Sequence, residues 1–160
     1  MERMCAFLLL MKMVLNLQDR VEGLCCEPGW VEFKGICYYF STSPAGSWQS
    51  ARKYCLTRGA DLTSIHSDDE KEFINDWMER INDAFGTAYF WNGANDRNQE
   101  GKFVWSDKTK FSYSNWWFRE PNDSGGEHCV EMYTPSTHFG KWNDLKCNTP
   151  GHRYVCKKIR

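Results

Sequence analysis

Residues 120–147 read EPNDSGGEHCVEMYTPSTHFGKWNDLKC. This stretch places Glu120-Pro121-Asn122, Glu127 and Trp142-Asn143-Asp144 close together in the chain, with Cys129 and Cys147 beside them. Glu120, Asn122, Glu127, Asn143 and Asp144 are hard oxygen donors, carboxylates and amide carbonyls, which is the ligand set that calcium takes while leaving positions for outside oxygens. Zinc would favour Cys and His, so calcium is the expected cofactor. An X-Pro bond has access to the cis form, and a cis Glu120-Pro121 bond would turn Glu120 and Asn122 toward one point. Any one of these residues alone reads as a turn residue on a wet surface; clustered between cysteines, they read as a site.

The region upstream of this stretch is polar. Residues 92–128 are rich in Asn, Asp, Glu, Gly and Ser, interrupted by Phe103-Val104-Trp105 and Asn115-Trp116-Trp117. A long polar loop region of this kind in a small domain is usually functional. Before it, Ser67-Asp68-Asp69-Glu70 has the form of a capping box, and Phe73, Ile74, Trp77, Met78 and Ile81 form one apolar helical face behind it. An earlier helix is predicted from the spacing of Trp48, Ala51 and Cys55, with Gly59 at its C-terminal cap. Residues 29–33 and 36–40 read as strands joined by Lys34-Gly35 in a hairpin, and Tyr154-Val155-Cys156 as a closing strand. Two helices and short antiparallel strands predict an α+β domain.

Composition sets the compartment and excludes some partners. Eight cysteines in 160 residues, with no paired C-x₂-C zinc unit among them, predict a disulfide-stabilised extracellular domain. Eight Trp, ten Phe and seven Tyr supply a large apolar area for the core. Lys and Arg total 20 against 21 Asp and Glu, which leaves no basic face for nucleic acid. Residues 1–24 differ in character from the rest. The apolar run Cys5–Met11 fits the h-region of a signal peptide. Phe7, Leu10, Val14, Leu17, Val21 and Leu24 also fit an a/d seam, as in a truncated coiled-coil neck. Both readings put residues 25–160 outside the cell. Neither phosphate-loop nor nucleophile-elbow nor zinc-helix motifs occur, so no enzyme is expected.

Residues 26–156 resemble a C-type lectin domain, and Glu120-Pro121-Asn122 with Trp142-Asn143-Asp144 is similar to the sugar-site signature of that family. Trp91-Asn92-Gly93-Ala94 resembles its core-strand motif, with Asn92 more polar than the usual aliphatic. The resemblance implies a double-loop fold, disulfides Cys26–Cys37, Cys55–Cys156 and Cys129–Cys147, and a calcium ion on the upper edge. It further implies that Glu120 and Asn122 serve one sugar hydroxyl, that Glu127 and Asn143 serve its neighbour, that Asp144 is a calcium ligand, and that Trp142 packs beneath. The order Glu-Pro-Asn resembles the mannose-type branch, implying mannose, N-acetylglucosamine or fucose on glycoproteins or microbial surfaces. A second, auxiliary calcium is implied at Asp96, Glu100 and Asp123, but His128 stands where the family often has Asp and makes that site weak. Cys25 has no partner in the three-bridge scheme, so a homo-oligomer through Cys25 or the N-terminal segment is one expectation, and pairing with Cys5 is the other.

Overall fold

The computed structural model describes residues 26–134 and 138–159. The signal-peptide and neck readings of residues 1–24, and the partner of Cys25, lie outside them. The chain enters through a hairpin, β1 (Val31–Phe33) and β2 (Ile36–Phe40). Its tip, Lys34-Gly35, takes positive φ at both residues (50° and 81°), the backbone that lets a two-residue turn follow the twist of its strands.

Helix α1 (Trp48–Thr57) starts at Ser47, whose hydroxyl accepts from Ser50 N while Ser50 Oγ accepts from Ser47 N. It buries Trp48, Ala51 and Cys55, and Gly59, at φ 66°, follows its end as expected. A two-residue strand β3 (Asp61–Leu62) comes next, then helix α2 (Asp68–Phe85). Ser67 caps α2 by accepting from Glu70 N at 3.2 Å, but the predicted box is not reciprocal. The Glu70 carboxylate is drawn into the core instead, where it accepts from Tyr38 Oη (2.5 Å), Lys157 Nζ (2.6 Å) and His66 N (2.8 Å). A buried lysine offers a charge-assisted bond that the cap N–H cannot match. The apolar face of α2 packs as predicted, with Ile74 and Met78 buried and Phe73, Trp77 and Ile81 against the same core.

The remaining strands are β4 (Phe90–Asn95), β5 (Val104–Trp105), β6 (Cys129–Met132), β7 (Trp142–Leu145) and β8 (Arg153–Lys158). The sheet order is β1-β2-β8-β4-β6-β7, with β3 paired to β8 and β5 to β4. The ladders between named strands are antiparallel, as expected, except one. β8 lies between β2 and β4, antiparallel to the first and parallel to the second, so the sheet is mixed. The polar region also begins later than its composition suggests, because residues 92–95 form the fully buried end of β4. Asn92 Oδ1 accepts from Ala94 N and Asn95 Nδ2 donates to Gly93 O, so each of these buried amides has a bond to backbone, although Asn92 Nδ2 has no partner among the described residues. Gly93 is required there: a Cβ would sit 2.8 Å from Leu62 O.

Disulfides join Cys26 to Cys37, Cys55 to Cys156 and Cys129 to Cys147, the same pairs that the family resemblance implies. The second ties α1 to β8, and the third closes the far end of the β6–β7 hairpin. Residues 106–128, between β5 and β6, hold no helix or strand. They cross the sheet edge that β6 and β7 build.

Candidate metal and ligand site

The site is organised by the β6–β7 register, which sets Glu131 opposite Asn143, Val130 opposite Asp144 and Met132 opposite Trp142. Trp142 faces the core and is fully buried, with the rings of Trp105, Tyr113 and Trp116 against it at 5.6–6.0 Å and steep angles. Its backbone anchors the crossing loop: Trp142 N donates to Asn115 O, and Trp117 N donates to Trp142 O, both at 2.9 Å. Alternation along the strand then turns Asn143 to the face opposite Trp142.

Loop residues 120–127 fold onto Asp144. The Glu120-Pro121 bond is cis, and Asn122 Nδ2 donates to Glu120 Oε2 at 2.6 Å. Asp144 accepts Asn122 N on Oδ1 (3.0 Å) and Asp123 N on Oδ2 (2.9 Å). Asp123, Gly125 and Gly126 take positive φ (47°, 85° and 87°), which closes a tight turn. Within it Glu127 N donates to Asp123 Oδ1 (2.7 Å) and Ser124 N to Glu127 Oε2 (3.0 Å). Glu120, Asn122, Glu127 and Asp144 are thereby brought to one place, with Asp144 and Glu127 buried and Asn122 exposed.

The charge at this place is unbalanced. Burial, a hydrogen bond shared with Asp144 and the charges of Asp144 and Glu127 push the Glu120 carboxyl up to about 7. Burial first, then the Asp144 charge, raises Glu127 as well. Among the described residues, no ion pair within 4.0 Å involves Glu120, Glu127 or Asp144. Lys146 is near enough for its charge to act against the rise at Glu127, and carboxylates held in contact with no cation bonded between them favour either a proton or a metal there. The donors are all oxygen, so the residues present fit calcium.

Asn143 is held from behind by residues that the pattern of the sequence did not single out. Its Nδ2 donates to Glu131 Oε1 at 2.9 Å, and Glu131 Oε2 accepts from His152 Nε2. Asn143, Glu131 and His152 are all buried, and His152 stacks on Trp91 at 4.2 Å. The bond to Glu131 fixes which end of the Asn143 amide faces outward: the carbonyl oxygen and one remaining N–H. Only the β6–β7 register could have revealed this. Glu131→Leu is expected to lower calcium affinity by roughly 10- to 100-fold, because the Asn143 amide loses its orientation. Glu131→Gln, which keeps an acceptor for Asn143, should lose much less. Calorimetric calcium titration of both variants checks this, and equal losses would remove Glu131 from the orienting role.

The residues expected to hold an auxiliary calcium are placed differently. Asp96 and Glu100 converge, but the third member of their group is His128, all three donor atoms lying within 4.8 Å of one another. Asp123 is spent on the 120–127 turn, although its charge is near enough to help raise Glu100, after desolvation and the Asp96 charge. His128 is therefore part of this cluster and only partly exposed, 40 % at its side chain.

The family model described as the Lectin C-type domain matches residues 45–158. The human protein "C-type lectin domain family 10 member A" is 36% identical over 151 residues, covering 89% of this chain and 43% of that protein; the chain thus spans less than half of that relative's length. The solved carbohydrate-recognition domain of cow CD23, determined in the presence of a GlcNAc2Man3 oligosaccharide, superimposes with a TM-score of 0.73 at 36% identity, covering 85% of this chain and 97% of that one. A calcium-independent type II antifreeze protein superimposes with a TM-score of 0.72 at 27% identity, covering 84% and 95%. Similarity of fold therefore leaves the calcium question to the residues of the site.

Proposed function

The chain belongs to the C-type lectin domain family, a family of binding modules and not of enzymes, and from that premise we propose that it binds glycans through a calcium ion held by Glu120, Asn122, Glu127, Asn143 and Asp144. The observation that carries this reading is the convergence of the three carboxylates at the mouth of the β6–β7 hairpin, where the 120–127 loop is held on Asp144 and no cation is bonded between them. Calcium, when bound, supplies the attraction for two neighbouring hydroxyls of one sugar. The chain's own residues choose the diol. Glu120 accepts from one hydroxyl while the Asn122 amide donates to it, and Glu127 and Asn143 do the same for the other. This order of acceptor and donor suits the equatorial diol of mannose, N-acetylglucosamine or fucose. Asp144 holds the metal and, through two backbone N–H groups, the loop that carries Asn122.

The ligands are proposed to be mannose-type glycans on glycoproteins or microbial surfaces, met outside the cell. Three disulfides support an oxidising compartment. No helix among the described residues is long and apolar enough to cross a membrane. One shallow site binds a single sugar weakly, so avidity through several copies is part of the proposal. The segment proposed to join them, residues 1–24 with Cys25, lies outside the described residues. Asn122 heads an Asn-Asp-Ser sequon, and a glycan there would block the site, so the proposal takes it as unmodified.

The test is retention on mannose-agarose with calcium and elution by EDTA, beside a galactose-agarose column. Retention on mannose alone, reversed by the chelator, is expected. Retention that EDTA does not reverse would remove calcium from the function. Failure of the folded, calcium-loaded protein on both columns would remove these sugars.

Acid should weaken the same site. Proton and calcium compete for Glu120, whose carboxyl sits at about 7 without metal. Calcium affinity is expected to fall as pH drops from 7.5 to 5.5, with protons released on binding near pH 7. The calcium-free fold has the opposite trend. Its raised carboxyl binds a proton more tightly than the unfolded chain does, so its stability falls as pH rises from the ordinary carboxylate range through about 7. Calcium titrations in buffers of different ionisation enthalpy read the proton count, and zero release at pH 7 would contradict the competition.

A further inference from the structure

We propose that Asp96, Glu100 and His128 form a second metal site, selective for a divalent cation of the zinc class and separate from the calcium site. Its donors are one imidazole nitrogen and two carboxylate oxygens. Calcium takes oxygen alone, whereas imidazole with carboxylate is a ligand set of zinc and its neighbours in the first transition row. His128 Nδ1 lies 3.2 Å from Asp96 Oδ1 and 3.1 Å from Glu100 Oε2. A zinc tetrahedron with ligands at about 2.0–2.1 Å has edges of about 3.3–3.4 Å. The donors therefore need to part by only a few tenths of an ångström to admit the ion.

The scaffold holds them for this. Asp96 directly follows β4, and its side chain is wholly buried. Gly101 N donates to its Oδ2 at 2.8 Å, leaving Oδ1 aimed at His128. Glu100 rides in the turn that this bond closes, together with Gln99 N to Asp96 O at 2.9 Å. His128 precedes the disulfide-linked Cys129 of β6, and Asp96 N donates to His128 O. Three donors thus come from two adjoining segments of one sheet. A fourth position is open to water, because the side chains of His128 and Glu100 are 40 % and 51 % exposed. In the alternative, His128 only bonds the two carboxylates, and no metal is taken up.

The experiment is a calorimetric titration of zinc chloride into the whole protein, stripped of metal and then held in saturating calcium, repeated with no calcium. Wild type is expected to take up about one zinc in both conditions, with a Kd near micromolar. Cobalt(II) in its place should give the visible d–d absorption of a nitrogen- and oxygen-bound ion. His128→Gln should weaken zinc by at least about tenfold with the calcium-free melting temperature unchanged. If that variant folds poorly, Glu100→Gln, altering an exposed side chain, takes its place with the same expected loss. His128→Asp, an all-oxygen site, should lose zinc. No uptake by wild type, uptake that saturating calcium abolishes, or zinc binding unchanged in these variants would each overturn the proposal. The calcium-free arm reads the zinc site even if the calcium proposal fails.

Discussion

Asp144→Asn is expected to abolish calcium-dependent retention on mannose and to lower calcium affinity by about 100- to 1,000-fold. Two effects add. The first is charge: at an effective dielectric near 20, a unit charge about 4 Å away contributes roughly 4 kcal/mol, doubled for a divalent ion and then reduced by the cost of desolvation. The remaining 3–4 kcal/mol or so corresponds to the stated loss. The second is hydrogen-bond polarity. Asp144 accepts a backbone N–H on each oxygen, from Asn122 and from Asp123. Asparagine can accept only one of them, and its NH₂ would face the other donor. The loop carrying Glu120 and Asn122 therefore loses an anchor together with the charge. Terbium luminescence or calorimetry would measure the loss, with circular dichroism to confirm the fold. A loss under about tenfold would mean that Asp144 is not a metal ligand.

Trp142→Ala is expected to cost about 3–5 kcal/mol of stability. Trp142 is fully buried among Trp105, Tyr113 and Trp116, with Phe111 at 6.5 Å, so the remaining rings cannot collapse into the space. For a domain of this size the melting temperature should fall by roughly 10–20 °C. The effect should not stop at stability. Trp142 is the point where residues 115–117 attach to β7, so the calcium affinity of the surviving folded fraction should fall as well. Trp142→Phe, keeping most of the apolar contact, should recover a large part of both. Thermal unfolding with and without calcium checks this; a melting temperature lowered by only a few degrees would show that the aromatic cluster holds without its central ring.

The candidate site was legible because its oxygen-bearing residues fall in two short clusters beside cysteines: Glu120, Asn122 and Glu127, then Asn143 and Asp144. The two helices were legible from apolar spacing, as at Ile74 and Met78. What stayed hidden depends on contacts between distant segments. Glu131 and His152 acquire meaning only through the register that puts Glu131 opposite Asn143 and the ring stack on Trp91. The box at Ser67 was misread because Glu70 has a better partner in Lys157, far along the chain. The same limitation made residues 92–95 look like loop: their amides bond to their own backbone, and composition does not record that. At His128, the residue type was enough to doubt an auxiliary calcium, but the convergence with Asp96 and Glu100 needed coordinates.

The position of β8 has a consequence for how the molecule is made. Residues 153–158 pair with β2, β3 and β4, joining the first part of the sheet to the part that carries the site. Until those residues have emerged from the ribosome, the hairpin at residues 31–40 and the β4–β6–β7 unit have no strand between them. Folding cannot proceed from the N-terminus as synthesis advances; it must wait for nearly the whole domain and then close its longest-range ladders. A stop codon that removed only β8 would leave two half-sheets and no lectin domain.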